Sequence, residues 1–273
     1  MKVRFWGVRG SIPVPGPDTV RFGGNTPCVE IATVDREVLI IDAGTGIRLL
    51  GLDLIQRPMD RLVAVLLFSH THWDHIQGLP FFSPARMRQN RLVILGARRV
   101  DRHLEQVLAG QMVDAYLPFT LEDLHADLLI KEVHDGEKVV VGDHTSVLPC
   151  QLEHPGGVFG YRITSQDQVV VYASDVIQPE TGADPRLVAL ARGADLLIHD
   201  AQFTPEEKKE RPHWGHSSWR EAVQVAREAG VGRLALFHHD PLHTDEQLEE
   251  IERQAQALFR DCFMAREGME VEI

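Results

Sequence analysis

The sequence is poor in cysteine: Cys28, Cys150 and Cys262 are the three in 273 residues. Their odd number, wide spacing and lack of a CxxC pair argue against a disulfide framework and for a reducing compartment. Long apolar runs are missing too. The longest, residues 62–68, falls far short of the ~20 residues that span a bilayer, and it reads as a buried strand. The opening Met1-Lys2-Val3-Arg4-Phe5-Trp6-Gly7 holds no signal-peptide core, so the cytoplasm is the expected location and no membrane partner is expected. Positive charge is scarce: 28 Lys and Arg face 40 Asp and Glu, a formal charge of −12. Long nucleic acid needs a basic face and is not expected as a partner. A small anionic substrate can still be held in one local basic or metal pocket. Repeats, low-complexity segments and Gly/Ser- or Pro-rich linkers are absent. Residues 1–273 are therefore expected to form one domain, with a homo-oligomer left open. With 44% hydrophobic and 25% charged residues the composition is ordinary for a globular chain. A core of this size needs no staples.

Histidine is what the sequence has in quantity, with 14 residues. The apolar and β-branched runs predict strands at 2–6, 29–33, 38–41, 63–68, 93–95, 128–133, 139–141, 147–152, 158–163, 169–172, 196–198 and 234–237. Helical spacing and capping signals predict helices at 46–56, 99–108, 186–191, 218–229 and 244–259. Strands in two halves with helices outside give an α/β class chain. The expected architecture is a four-layer αββα sandwich of two mixed sheets.

The strongest feature follows the most apolar strand: Ser69-His70-Thr71-His72-Trp73-Asp74-His75-Ile76-Gln77-Gly78. Neutral imidazoles and a carboxylate are what a borderline divalent metal such as zinc prefers. Spacing i, i+2 in an extended segment puts His70 and His72 on one side. Asp74 and His75 follow where the chain should turn, within reach of a second ion. The alternative, a polar loop with chance histidines, leaves so close a cluster without a reason to coexist.

This HxHxDH element resembles the signature of the metallo-β-lactamase fold, and later motifs fall in that family's order. They are Leu39-Ile40-Ile41-Asp42-Ala43-Gly44, Leu152-Glu153-His154, Val171-Tyr172-Ala173-Ser174-Asp175 and Leu236-Phe237-His238-His239-Asp240-Pro241. The resemblance implies two divalent metal ions, zinc by preference, with manganese and iron as alternatives. One would take His70, His72 and His154; the other would take Asp74, His75 and His238. Asp175 would bridge them, with a water or hydroxide between. The last histidine is either His238 or His239, His238 being favoured. Asp42 is expected to orient ligands by hydrogen bonds.

Two further elements point to a branch of the fold. Gly215-His216-Ser217-Ser218 resembles a motif of ribonuclease Z and its small phosphodiesterase relatives, which include phosphoribosyl cyclic phosphodiesterase-type hydrolases. Ile198-His199-Asp200-Ala201-Gln202 stands where that branch has His-Glu-Ala-Thr, with Asp for Glu and Gln for Thr. The resemblance implies that His216 touches the phosphate and protonates the leaving oxygen, oriented by Asp200 if that shorter side chain reaches. The candidate catalytic residues are Asp74, His216 and Asp200. The bland reading of His216, a residue capping the next helix, is a poor position for an imidazolium.

Arg9 and Asn25, in the Gly-rich opening, are either phosphate contacts or parts of a structural hairpin. His199 is either core or site, and His213 is loop or pocket wall. His103, His125, His134, His144 and His243 are expected on the surface. Ribonuclease Z carries a long arm for tRNA between the ligands matching His154 and Asp175, and here those residues are 21 positions apart. The larger interval, 81–127, is read as a cap over the site or as a solvated helical insert. Arg86, Arg88, Arg91, Arg98, Arg99 and Arg102 make it basic. The functional expectation is a phosphodiesterase cleaving a small, cyclic or linear phosphodiester with a metal-bridging hydroxide as nucleophile. Thioester or lactam hydrolysis is the alternative, and a non-catalytic metal-binding sensor comes last.

Overall fold

The computed structural model describes residues 1–35, 37–98 and 102–273. Strands alternate between two apolar surfaces, and this alternation builds the layers. In β3 (Val38–Ile41), Val38 and Ile40 join one core while Leu39 and Ile41 join another. The strands β4 (Val63–Leu67), β10 (Gln168–Ala173) and β12 (Arg233–Phe237) divide in the same way. Successive side chains of a strand face opposite sides, so an unbroken apolar run marks a strand covered on both faces.

The remaining strands are β1 (Lys2–Gly7), β2 (Cys28–Ala32), β5 (Arg91–Ala97), β6 (Asp127–Val133), β7 (Val139–Val141), β8 (Thr145–Leu152), β9 (Val158–Ser165), β11 (Leu196–Asp200), β13 (Cys262–Met264) and β14 (Glu270–Glu272). They form two seven-stranded sheets, ordered β14-β1-β2-β3-β4-β5-β6 and β13-β12-β11-β10-β9-β8-β7. Phe5, Leu39 and Leu67 of the first meet Tyr161, Tyr172 and Phe237 of the second in the middle core. The helices α1 (Ile47–Leu54) and α3 (Leu104–Gly110) cover the first sheet's outer face. The second is covered by α4 (Pro185–Ala191), α6 (Trp219–Ala229) and α7 (Asp245–Leu258). The short α2 (Trp73–Ile76) and α5 (Pro205–Glu210) lie in the loops. This is the expected αββα sandwich.

Local chemistry sets the helix ends. Ser218 caps α6 reciprocally with Glu221, and Gly230 ends it in the left-handed region. Thr244 and Gln247 do the same at the start of α7. The first residues of the helix expected at 99–108, together with Arg99, lie outside the described residues; its described part is α3. The strands β13 and β14 went unpredicted because each has only three residues, too few for a period to register. Residues 81–127, read as a cap or as a solvated helical insert, supply β5, paired between β4 and β6, and α3 on the outer layer. Three of their described arginines are engaged locally, Arg91 with Asp127, Arg98 with Glu132 and Arg86 over the Phe119 ring. Among the described residues no helix is long and apolar enough to cross a membrane.

The strand directions place the motifs. Because β3 and β4 are parallel, as are β10, β11 and β12, their C-terminal ends share one edge. Two antiparallel steps through β9 bring the end of β8 to the same edge.

Candidate metal centre

Six strand ends deliver the polar residues: Asp42 after β3, the 69–75 segment after β4, His154 after β8, Asp175 after β10, Asp200 on β11 and His238 after β12. Three of them, Asp42, Asp175 and His238, hold φ angles of 61°, 56° and 62°. Such left-handed backbone in a non-glycine residue costs roughly 1–3 kcal/mol each, and it persists where function needs a side chain aimed against the local preference. Gly10 leaves the room: a Cβ there would lie 2.5 Å from the His238 ring.

The donor atoms converge in two groups. His70, His72, His154 and Asp175 each place one ligand-type atom within 4.8 Å of the others, as do Asp74, His75 and His238. Asp175 straddles them. Its Oδ2 lies 3.1 Å from His75 Nε2 and 3.3 Å from His238 Nε2. Its Oδ1 lies 3.8 Å from His70 Nε2 and 3.9 Å from His154 Nε2.

The outer ring nitrogens show which electrons point inward. His75 Nδ1 donates to Asp42 Oδ2 at 2.8 Å, His154 Nδ1 to the Gly215 carbonyl at 2.8 Å, and His238 Nδ1 to Gln202 Oε1 at 3.0 Å. Each acceptor holds a proton on Nδ1, so in the neutral ring it is Nε2 that presents a lone pair to the centre. His75 Nε2 and His238 Nε2 are 3.3 Å apart, and His72 Nδ1 is 3.1 Å from His154 Nε2. The buried Nε2 of His70 has no hydrogen-bond partner. Converging lone pairs beside ionised carboxylates fit divalent cations, which suit imidazole and carboxylate donors. Burial also favours the neutral, ligating form by pushing the His70, His72 and His154 pKa values down.

Asp200 reaches His216, with Oδ2 2.8 Å from Nδ1, while its Oδ1 accepts from the Gln202 and Ser217 amides. Burial alone would lower the His216 pKa; the charge and hydrogen bond of Asp200, with Asp175 and Asp74 nearby, outweigh it and hold the value at about 9. The His216 ring stacks on His238 at 5.0 Å and stands 3.7 Å from Asp175 Oδ1. It is not a cap, since Ser218 caps α6.

Other expectations sort by contact. The structure brings His238 into the cluster and sends His239 the other way, to the Ala265 carbonyl. Arg9 is buried away from the centre, donating to the carbonyls of Gly23, Asp240 and His243, and Asn25 bonds Glu267. Both therefore serve the structural hairpin. His199 is a core residue bonded to the Asp200 carbonyl, and His213 is exposed in its loop. His103, His125, His134 and His144 are exposed, but His243 is buried against Glu207.

Sequence reasoning missed four residues. Ser69 donates to Asp42 through both its amide and its hydroxyl, and Tyr172 reaches across from the other sheet to the same carboxylate at 2.7 Å. The Ser11 amide donates to Asp74 Oδ2 at 2.8 Å. Gln202 orients His238. A tyrosine among the inward aliphatic residues of β10 was a signal for Tyr172, and the departure from Thr was one for Gln202. Nothing local marked Ser11.

Known proteins bear on this arrangement. Residues 37–239 match the model of the β-lactamase superfamily domain. A ribonuclease Z of Haloferax volcanii is 27% identical over an alignment covering 100% of this chain and 95% of that protein. The metallo-β-lactamase fold protein YhfI from Bacillus subtilis superposes with a TM-score of 0.73 at 21% identity, covering 100% of this chain and 98% of that one. A diphosphatase of the PhnP family gives 0.72 at 20% identity, covering 100% and 97%.

Proposed function

The chain belongs to the β-lactamase superfamily, and on that premise we propose that it is a metal-dependent phosphodiesterase acting on a small phosphodiester, cyclic or linear. The observation that carries this reading is the His216–Asp200 pair, 2.8 Å long, set beside the carboxylate that faces both donor groups. A thiolate or a lactam nitrogen on a metal leaves without a strong acid. An alkoxide leaving from phosphorus needs a proton.

His70, His72 and His154 would hold one ion, Asp74, His75 and His238 a second, and Asp175 would face both. Zinc suits this set best, and manganese or iron tolerates it. When bound, such ions supply Lewis acidity and lower the pKa of water enough for attack on phosphorus at neutral pH. The protein's own groups do the rest. Asp74, anchored by the Ser11 amide, orients the attacking water from the buried side. His216 donates Nδ1–H to Asp200, so Nε2–H is the proton available to the leaving oxygen. As water's oxygen bonds to phosphorus, one of its protons passes to the Asp74 carboxylate; the ester P–O bond breaks and the His216 proton passes to the departing alkoxide. A linear diester gives a phosphomonoester and an alcohol, and a cyclic one a single phosphomonoester that carries the freed hydroxyl. A His216 pKa of about 9 keeps this proton in place at neutral pH.

The preference for a small substrate is supported by β9 and β10, which fill the interval between His154 and Asp175 as a hairpin turning at Gln166 and Asp167 and leave no chain for an arm. The −12 charge also disfavours a long polyanion. Three free thiols suit a reducing cytoplasm. The test is metal content together with hydrolysis of bis(p-nitrophenyl) phosphate, for wild type and His216→Ala. Two ions per chain, with turnover lost in the variant while metal stays, is the expected result. Full metal without diester turnover would move thioester and lactam substrates to the front.

A further inference from the structure

Beside the half of the centre made of His70, His72 and His154 lies a cavity of about 140 Å³ that the mechanism above does not use. Two of its walls are the loops that carry those histidines. One wall is His70 and Thr71, after β4; the other is Gly156 and Gly157, just past His154. The two glycines hold φ angles of 87° and 80°, a region that glycine takes readily, so this wall is bare backbone. His70 is common to the cavity and the centre.

The lining changes character from floor to rim. Phe68 and Val133 of the first sheet and Val158 and Phe159 of the second make an apolar, buried floor. Bonds between the sheets hold it in shape. The Phe159 amide donates to the Ser69 carbonyl at 2.8 Å, and the Tyr161 hydroxyl to the Phe68 carbonyl at 2.7 Å. The rim is polar, with Arg98, His134, Asp135 and Gln151. Asp135 is already committed, to the Arg186 guanidinium at 2.6 Å and the Gln151 amide at 2.8 Å. Arg98 is 60% exposed and meets Glu132 only at 3.9 Å, while that carboxylate also accepts from the Leu104 amide at 2.9 Å. In a chain of charge −12 this rim leans positive.

We propose that this cavity is a substrate subsite, and that it takes a compact apolar substituent of the phosphoester, the size of one six-membered ring, ending in a carboxylate at Arg98. This rests on the phosphodiesterase reading above. The substituent extends past the shared His70 ring while its phosphorus stays at the centre. An apolar cavity of about 150 Å³ holds one benzene molecule, so a single ring fills the volume here. A polyol of that size would leave hydroxyls without partners on the phenylalanine floor. With Asp135 held by Arg186, the rim offers Arg98 to an anionic end.

The test is calorimetric binding of methylphosphonate, phenylphosphonate and para-carboxyphenylphosphonate to the metal-loaded protein. Burying the ring should make phenylphosphonate bind at least about tenfold more tightly than methylphosphonate. The carboxylate should add about two- to fivefold. Ala97, at the end of β5, lines the cavity. Ala97→Leu fills it and should bring the phenyl-to-methyl ratio to about one; Ala97→Val should lower the ratio part of the way. Arg98→Gln should remove the carboxylate's increment and leave the ring's. Equal affinities for the first two phosphonates in the wild type, or a ring advantage that survives Ala97→Leu, would overturn the subsite. A carboxylate increment that is missing, or untouched by Arg98→Gln, overturns the anionic end. Ribose 5-phosphate bound as tightly as phenylphosphonate overturns the apolar occupant. Metal content and melting temperature matched to wild type show that each variant is folded. Bis(p-nitrophenyl) phosphate turnover separates the two failures. Turnover without a ring preference sinks the subsite alone, whereas a ring preference without turnover sinks the phosphodiesterase reading and leaves the subsite.

Discussion

The two halves of the centre are built differently. The half made of Asp74, His75 and His238 is buried and tied from behind by side chains and an amide from distant segments: Asp42, Gln202 and Ser11. The half made of His70, His72 and His154 leans on its neighbour Ser69 and one backbone carbonyl, and it opens to water at His72. A ligand oriented by a distant segment, as His154 also is through the Gly215 carbonyl, depends on the whole sandwich, whereas His70, oriented by the adjacent Ser69, depends on its own loop. The buried half is therefore expected to hold its ion more tightly and to suffer more from remote substitutions.

Removing the group that faces both halves should have the largest effect. Asp175→Ala is expected to empty both in an elemental analysis and to abolish turnover; retention of either ion would disprove the shared role. His216→Ala comes next. It should lower kcat about 10²- to 10⁴-fold with both ions retained, and a loss of metal would make His216 a structural residue instead. Gln202→Leu sharpens the comparison itself. Losing the acceptor on His238 Nδ1 should weaken the buried half's affinity about 10- to 100-fold in a chelator competition and leave the open half unchanged. Gln202→Glu keeps an acceptor and should recover most of the loss; equal weakening of both halves would refute the distinction. The smallest effect belongs to Arg91→Ala, far from both, whose exposed pair with Asp127 should be worth less than about 1 kcal/mol in a denaturant melt. A larger loss would mean that 81–127 supports the centre more than its contacts show.

Much of this was legible before the fold. His70, His72, Asp74 and His75 lie in one short loop, so their proximity is a property of the chain, and the apolar alternation of β3, β4, β10 and β12 is equally local. The choice between His238 and His239 was not. Neighbouring residues at a strand end point to opposite faces, and only packing against Gly10 and Gln202 on one side and Ala265 on the other decides which turns inward. His243 misled for the same reason, and the two readings of Arg9 could be separated only in the fold. Their types suggest water or substrate, while their partners are carbonyls and a carboxylate from distant segments.

The sequence by itself determined the donor inventory, the strands that carry it and the family likeness, because those depend on residue type and short spacing. The tertiary structure decided which nitrogen of each histidine faces inward, that Asp200 reaches His216, that Tyr172 ties one sheet's Asp42 to the other, and where the centre opens. These depend on distances between segments up to 164 residues apart in the chain, which close when two sheets pack face to face and bring their strand ends to one edge.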